Sequence, residues 1–280
     1  MTAQSPAAAK SIPDFLYGTA WKEERTAGLV DMALRAGFRG FDTANQRRHY
    51  FEAAVGEALA AAYGAGVVTR GDLFLQTKFT YRPGQDHRLP YDSAAKFAVQ
   101  VEQSMASSLQ HLQTDYVESY VLHGPASGHG WTETDAEVWD AMQKQRDAGL
   151  TRLLGVSNVR LHHLQQMVEQ CGAPAFVQNR CYAQLGWDRD VREFCRRHGT
   201  VYQGFSLLTA NMELLHHPVL LETAARMGAT AAQVVFAFAR AIGILPLTGT
   251  SNFDHMRQDL ESAKFELSAR EITQIEGLVG

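Results

Sequence analysis

Eight times along this 280-residue chain a short β-branched or aromatic run is followed by a longer amphipathic stretch, and that alternation constrains the fold most. The strand-like runs lie at 15–20, 38–43, 73–80, 117–123, 153–158, 176–182, 201–208 and 244–248. Helical patterns follow them near 26–36, 51–63, 93–112, 133–148, 160–170, 188–198, 230–242 and 252–262, with an extra one near 218–227. A last helix, within 267–278, opens on Ser268 with Glu271 three residues on, a capping box. Strict β-then-α order demands a parallel sheet, because each helix carries the chain back to start the next strand in the same direction. Roughly 35 residues per unit suffices for a strand, a helix and two short loops. Eight right-handed crossovers then give either an open sheet or a closed barrel.

The polar residues favour the barrel. Asp42, Lys78, His123, Ser157-Asn158, Gln178-Asn179, Ser206 and Thr248-Gly249-Thr250 all stand at the C-terminal ends of their runs. An open doubly wound sheet needs such residues only at its switch point, whereas in a barrel all the strand ends surround one mouth. The expected class is therefore α/β, a (β/α)8 TIM barrel in a single domain over residues 15–280. The first fourteen residues lack the basic start and apolar core of an export signal and read as a flexible N-terminal segment of a cytoplasmic protein.

Composition excludes other classes. A net charge of −4 with 45% hydrophobic residues carries no bias towards nucleic acid or anionic membrane. No apolar stretch approaches the ~18 residues of a membrane span. Cys171, Cys181 and Cys195 are neither an even set nor in a CxxC spacing, so they read as reduced thiols with no disulfide framework and no metal site. The expected partner is a small molecule, and the chain a monomer or weak homo-oligomer.

Within the pattern, the stretch from Gly40 to Tyr50 puts a carboxylate at a strand end and a phenol just before a helix. Together with Lys78 and His123 on the next two strands, Asp42 and Tyr50 make a set suited to moving a proton. The loops 81–92 and 124–132 are long and follow two of these strands, so they are candidate walls of a substrate pocket. His111, His162, His163, His216 and His217 have no partner in the pattern and read as surface residues. Trp139, Phe236 and Phe238 read as packing, and Arg47-Arg48 as a solvated charge pair.

From about Leu16 to the C-terminus the chain resembles the aldo-keto reductases. The resemblance rests on Gly18-Thr19-Ala20-Trp21-Lys22, on 37–44, on Glu52 through Val55-Gly56-Glu57-Ala58-Leu59, on 74–78, on Asp115-Tyr116 through Leu122-His123-Gly124-Pro125, on 155–158 and on 249–252. It implies a barrel that binds an extended nicotinamide cofactor without a Rossmann domain, and NADPH-dependent reduction of aldehydes or ketones to alcohols. Delivery of hydride to a carbonyl carbon builds negative charge on its oxygen, which calls for a positioned acid and preorganised donors. By resemblance Tyr50 is the general acid, Lys78 lowers its pKa, Asp42 orients Lys78, and His123 donates to the substrate oxygen. The family spacing of five residues from the Asp lands on Arg47, while alignment through Glu52 and Val55-Gly56 puts His49 in the Tyr column, so His49 is the alternative acid.

The resemblance also assigns the cofactor contacts. Ser157, Asn158 and Gln178 would bond the nicotinamide carboxamide, Phe205 would stack on the ring, and Ser206, Leu207 and Leu208 would touch the pyrophosphate. Thr250, Ser251 and Asn252 at a helix start would bind an adenosine phosphate, with Arg257 and Gln258 nearby and Gly18, Thr19 and Asp42 on the inner wall. Leu247 stands where many relatives have Lys, which leaves NAD(H) open beside NADP(H). Trp21 would line the substrate pocket with Tyr50 and His123. Gly124 in place of the usual Trp, and a chain that stops soon after its last helix, predict an open mouth tolerant of small to medium aldehydes or activated ketones. Two other readings use the same residues: a Schiff-base lyase with Lys78 as nucleophile, and a nucleotide-binding regulatory relative with little turnover.

Overall fold

The computed structural model describes residues 12–278, so the flexible segment expected over residues 1–14 lies outside the described residues except for its last three. Eight strands, β1 (Leu16–Gly18), β2 (Gly40–Asp42), β3 (Phe74–Phe79), β4 (Val117–Leu122), β5 (Thr151–Ser157), β6 (Phe176–Arg180), β7 (Val201–Phe205) and β8 (Ile244–Thr248), pair in parallel in chain order. Leu16 and Tyr17 of β1 lie opposite Leu247 and Thr248 of β8, which closes the barrel. The helices are α1 (Thr26–Ala36), α2 (Glu52–Gly64), α3 (Phe97–Leu112), α4 (Glu133–Asp147), α5 (Leu161–Cys171), α6 (Arg189–Arg197), α7 (Pro218–Met227), α8 (Ala231–Ala241), α9 (Phe253–Glu261) and α10 (Ala269–Glu276). The extra segment expected near 218–227 is α7, inserted between β7 and α8.

Local chemistry sets the ends of these elements. Thr132 with Asp135, Thr230 with Gln233 and Ser268 with Glu271 form reciprocal capping boxes at the starts of α4, α8 and α10. Most strands are shorter than the apolar runs suggested. The run at 201–208 stops at Phe205 because Ser206 takes a left-handed backbone (φ 58°) that leaves the sheet. At the other extreme β5 begins two residues early, at Thr151, where exposed Arg152 hides the pattern.

Inward side chains stack in layers. Leu16, Phe74, Phe176 and Leu245 make an apolar floor, in which the Phe74 and Phe176 rings meet edge to face at 5.8 Å. Gly155 lies opposite Phe176, and a Cβ there would sit 2.9 Å from the Phe176 Cβ. Two residues further along β3 and β6, Gln76 and Gln178 start the next layer up. The outward residues of each strand pack beneath the helices in a second core that includes Val30, Leu59, Met105, Tyr120, Trp139, Phe236 and Phe238. Each such side chain contributes about 1.5–3 kcal/mol on leaving water. His163, expected at the surface, is buried: its Nδ1 accepts the Arg160 amide and its Nε2 lies 3.1 Å from the Ser127 carbonyl. Among the described residues no helix is long and apolar enough to cross a membrane.

Candidate active site

The C-terminal rim of the barrel gathers the side chains expected to move a proton. Asp42 closes β2, Lys78 is the next-to-last residue of β3, and His123 follows β4. Lys78 is fully buried, and its ammonium donates to both Asp42 carboxylate oxygens at 2.7 Å and to the Thr43 carbonyl at 2.8 Å. Burial lowers its pKa, against the opposing charge and hydrogen bonds of Asp42. All three of its N–H bonds are thereby used.

The loop after β2 explains how a phenol eight positions beyond Asp42 reaches this cluster. Residues 46–50 coil into one turn, with the amides of His49 and Tyr50 both bonded to the Gln46 carbonyl. The Tyr50 ring then lies with its centre 5.0 Å from Lys78 Nζ and 5.9 Å from the His123 ring. Its hydroxyl makes no hydrogen bond among the described residues. Burial, reinforced by the Asp42 charge, pushes the Tyr50 hydroxyl well above the ordinary phenol range. The net direction is opposite to the one expected, because burial outweighs any lowering by the neighbouring Lys78 ammonium.

His123 presents one free nitrogen. Its Nδ1 lies 2.7 Å from the Thr80 hydroxyl, and Nε2 has no partner among the described residues. Burial, with Lys78 and His49 adding to it, holds its pKa well below the usual imidazole range, so the ring is neutral. His49 is oriented differently. Gln46 Nε2 donates to the Gly84 carbonyl at 2.6 Å, which turns Gln46 Oε1 towards His49 Nδ1 at 3.0 Å. That nitrogen must carry the proton, so in the neutral ring Nε2 is an acceptor. Burial lowers the His49 pKa as well, keeping the ring neutral. Trp21, 65% exposed, stacks on His49 with ring centres 4.0 Å apart.

The expected cofactor residues divide by exposure. Thr19 is fully buried and donates to the Asp42 carbonyl through both its amide and its hydroxyl, so it braces Asp42 and has no surface to offer a ligand. Ser157 donates to the Gln178 carbonyl, and Asn158 Nδ2 donates to the His123 carbonyl, which leaves Asn158 Oδ1 free. Phe205 and Leu208 are half-buried at the end of β7. Gly18 ends β1 against Leu247 and Thr248. Asn252 caps α9 through the His255 amide, with Ser251 and Arg257 exposed and Gln258 half-buried beside it.

Sequence reasoning missed four residues at this rim. Gln76 and Gln203 are fully buried amides bonded to Asp42 and Gln178, and a lone Gln inside each apolar run was the available signal. Thr80 gave no signal of its own. Lys22 is buried and donates to the Gly249 carbonyl, tying the first loop to the end of β8.

Comparison with known proteins decides the family: the profile described as "Aldo/keto reductase family" matches residues 16–279. The chain belongs to the aldo/keto reductase family. Its members include NAD(P)H-dependent oxidoreductases. This reductase-family chain is 30% identical over 247 residues to an aldo-keto reductase of Mycolicibacterium vanbaalenii, covering 88% of this chain and 80% of that one. It is 27% identical to prostaglandin F synthase 1 of Bos taurus, covering 95% and 88%. Among solved structures, an aldo/keto reductase from Brucella melitensis superposes with a TM-score of 0.79 at 26% identity, covering 95% of this chain and 94% of that one. Another aldo-keto reductase, AKR2E5 complexed with NADPH, superposes with a TM-score of 0.81 at 23% identity, covering 95% and 84%.

Proposed function

We propose that this chain reduces small to medium aldehydes or activated ketones to alcohols with NADPH, and that Tyr50 is the proton donor. The observation that carries the reading is the unbonded Tyr50 hydroxyl beside the buried Lys78–Asp42 pair and the free Nε2 of His123. The residues fit a nicotinamide: Gln178 Oε1 and Asn158 Oδ1 accept no hydrogen bond among the described residues and match the two N–H groups of a carboxamide. Phe205 offers a ring face, and the exposed start of α9 with Ser251 and exposed Arg257 suits a phosphate. Bound there, the reduced nicotinamide supplies the hydride.

The chain's own residues do the rest. When Thr80 donates to Nδ1, His123 Nε2–H donates to the substrate oxygen, polarising the carbonyl and fixing its direction. Tyr50 stays protonated at neutral pH and gives up its proton once the substrate oxygen becomes an alkoxide, which is more basic than a phenolate. Lys78, held by Asp42 with its ammonium 5.0 Å from the centre of the Tyr50 ring, offers the phenolate formed in that step a nearby positive charge that only partly offsets the cost of burial. Full burial and three donated hydrogen bonds leave Lys78 no lone pair for Schiff-base attack, which weighs against the lyase reading.

The test is NADPH consumption by the purified protein against a panel of aldehydes, ketones and cyclic imines. Turnover of several aldehydes to alcohols is expected, with higher catalytic efficiency for NADPH than for NADH. Tight NADPH binding without turnover on any of them would favour the regulatory alternative.

A further inference from the structure

Above the apolar floor, the barrel is crossed by a closed ring of side-chain amides that spans β2, β3, β6 and β7. Gln76 Nε2 donates to Asp42 Oδ1 at 2.7 Å and to Gln203 Oε1 at 2.8 Å. Gln178 Nε2 donates to the same two oxygens, each at 3.0 Å. Gln203 Nε2 returns to Gln76 Oε1 at 3.0 Å, and the Ser119 hydroxyl donates to that oxygen at 2.8 Å. Gln76, Gln203 and Ser119 are fully buried.

The polarity of the ring follows from its fixed ends. A carboxylate only accepts, so both Nε2 groups must face Asp42, and Gln203 must present oxygen to them. Both N–H bonds of Gln178 Nε2 are therefore spent inside the barrel, and Oε1 is left as an acceptor without a partner. Without Gln203, one of those two bonds is lost and the amide, held by Asp42 alone, loses its fixed direction.

We infer that Gln203, supported by Gln76, is a positioning residue that locks the Gln178 amide with Oε1 outward, so that the site selects a nicotinamide ring bearing an N–H donor on its side group. The inference rests on the cofactor reading above and extends it to two residues that touch no ligand. Selectivity of this kind arises because an analogue lacking the N–H leaves a buried acceptor unpaired.

The experiment compares binding of NADPH and of its reduced 3-acetylpyridine analogue, in which a methyl replaces the amide nitrogen, by protein fluorescence quenching without substrate. The natural chain is expected to bind NADPH about tenfold more tightly than the analogue. Gln203→Leu should narrow that ratio to about threefold or less, because Gln178, held by the Asp42 bond alone, no longer keeps Oε1 aimed at the amide nitrogen. Gln203→Glu, buried beside the Asp42 carboxylate and therefore held protonated, keeps an accepting oxygen towards Gln178 and an O–H donor towards Gln76 Oε1, and should hold the ratio near that of the natural chain. Gln203→Met replaces the leucine variant should leucine not pack. An unchanged ratio in the apolar variant overturns the inference and leaves the cofactor reading intact. Failure of the natural chain to bind either nucleotide overturns both.

Discussion

Thr80 holds His123 through a 2.7 Å contact between its hydroxyl and Nδ1, which reserves Nε2 for whatever enters the mouth. Thr80 is itself fixed, its carbonyl accepting from the Tyr91 hydroxyl at 2.7 Å and from Gln85 Nε2 at 3.4 Å. Thr80→Val frees the imidazole to rotate or change tautomer, at a cost of about one neutral hydrogen bond. Carbonyl turnover is expected to fall about tenfold with NADPH affinity unchanged, and Thr80→Ser to stay within about twofold. Steady-state kinetics of the two variants check this.

The same ring fixes the pH dependence. Burial and the Lys78 charge penalise the imidazolium, so the folded pKa lies well below the ordinary value and the ring charges only in more acidic solution. A pH profile of kcat/KM is expected to show no inflection from His123 near pH 6.5. A fall centred there that disappears in His123→Asn would contradict the assignment.

Asp259 on α9 offers a stability test with a definite sign. It is buried, accepts the Thr248 hydroxyl at 2.8 Å, and has its pKa pushed up by burial to about 6. Because the folded pKa is raised, the folded state binds more protons than the unfolded one across that interval, and stability falls as pH rises from about 4 to about 6. Asp259→Asn keeps an acceptor and removes the charge. The variant should match the natural chain near pH 4 and exceed it by about 1–3 kcal/mol near pH 7, measured by urea unfolding at both values.

Two glycines separate close packing from helix propensity. A Cβ on Gly56 of α2 would lie 1.9 Å from the His111 carbonyl oxygen, which caps the close approach of α2 to α3. Gly28 of α1 has nothing within 4 Å of its Cβ position. Gly56→Ala should cost about 2 kcal/mol or more, whereas Gly28→Ala should stabilise by about 0.5–1 kcal/mol. Denaturation midpoints distinguish the two directly.

The barrel was legible because period and order survive in one chain: largely apolar runs alternate with longer helical patterns, and polar residues cluster at strand ends. That Asp42, Lys78 and His123 meet at one rim was legible for the same reason, since each follows an apolar run. What the sequence hid was conformational or depended on distant partners. Nothing in 43–50 announces the turn on the Gln46 carbonyl that carries Tyr50 back to Lys78. Trp187 and Asp188 take left-handed backbone after Gly186, an arrangement held by the buried Trp187 ring against Phe238 and by Asn179 and Tyr202 donating to Asp188. The direction of the Tyr50 shift was misjudged because residue order shows that an ammonium is near and not how deeply the phenol is buried.

The central claim is that the phenol of residue 50, and not the neighbouring imidazole, gives the proton. It is tested most directly by measuring aldehyde turnover of Tyr50→Phe beside His49→Gln, with NADPH affinity measured on both. Tyr50→Phe is expected to lose about a thousandfold in turnover while binding NADPH normally, and His49→Gln to stay within about tenfold. Retained turnover in Tyr50→Phe, with the loss appearing in His49→Gln, would contradict the account.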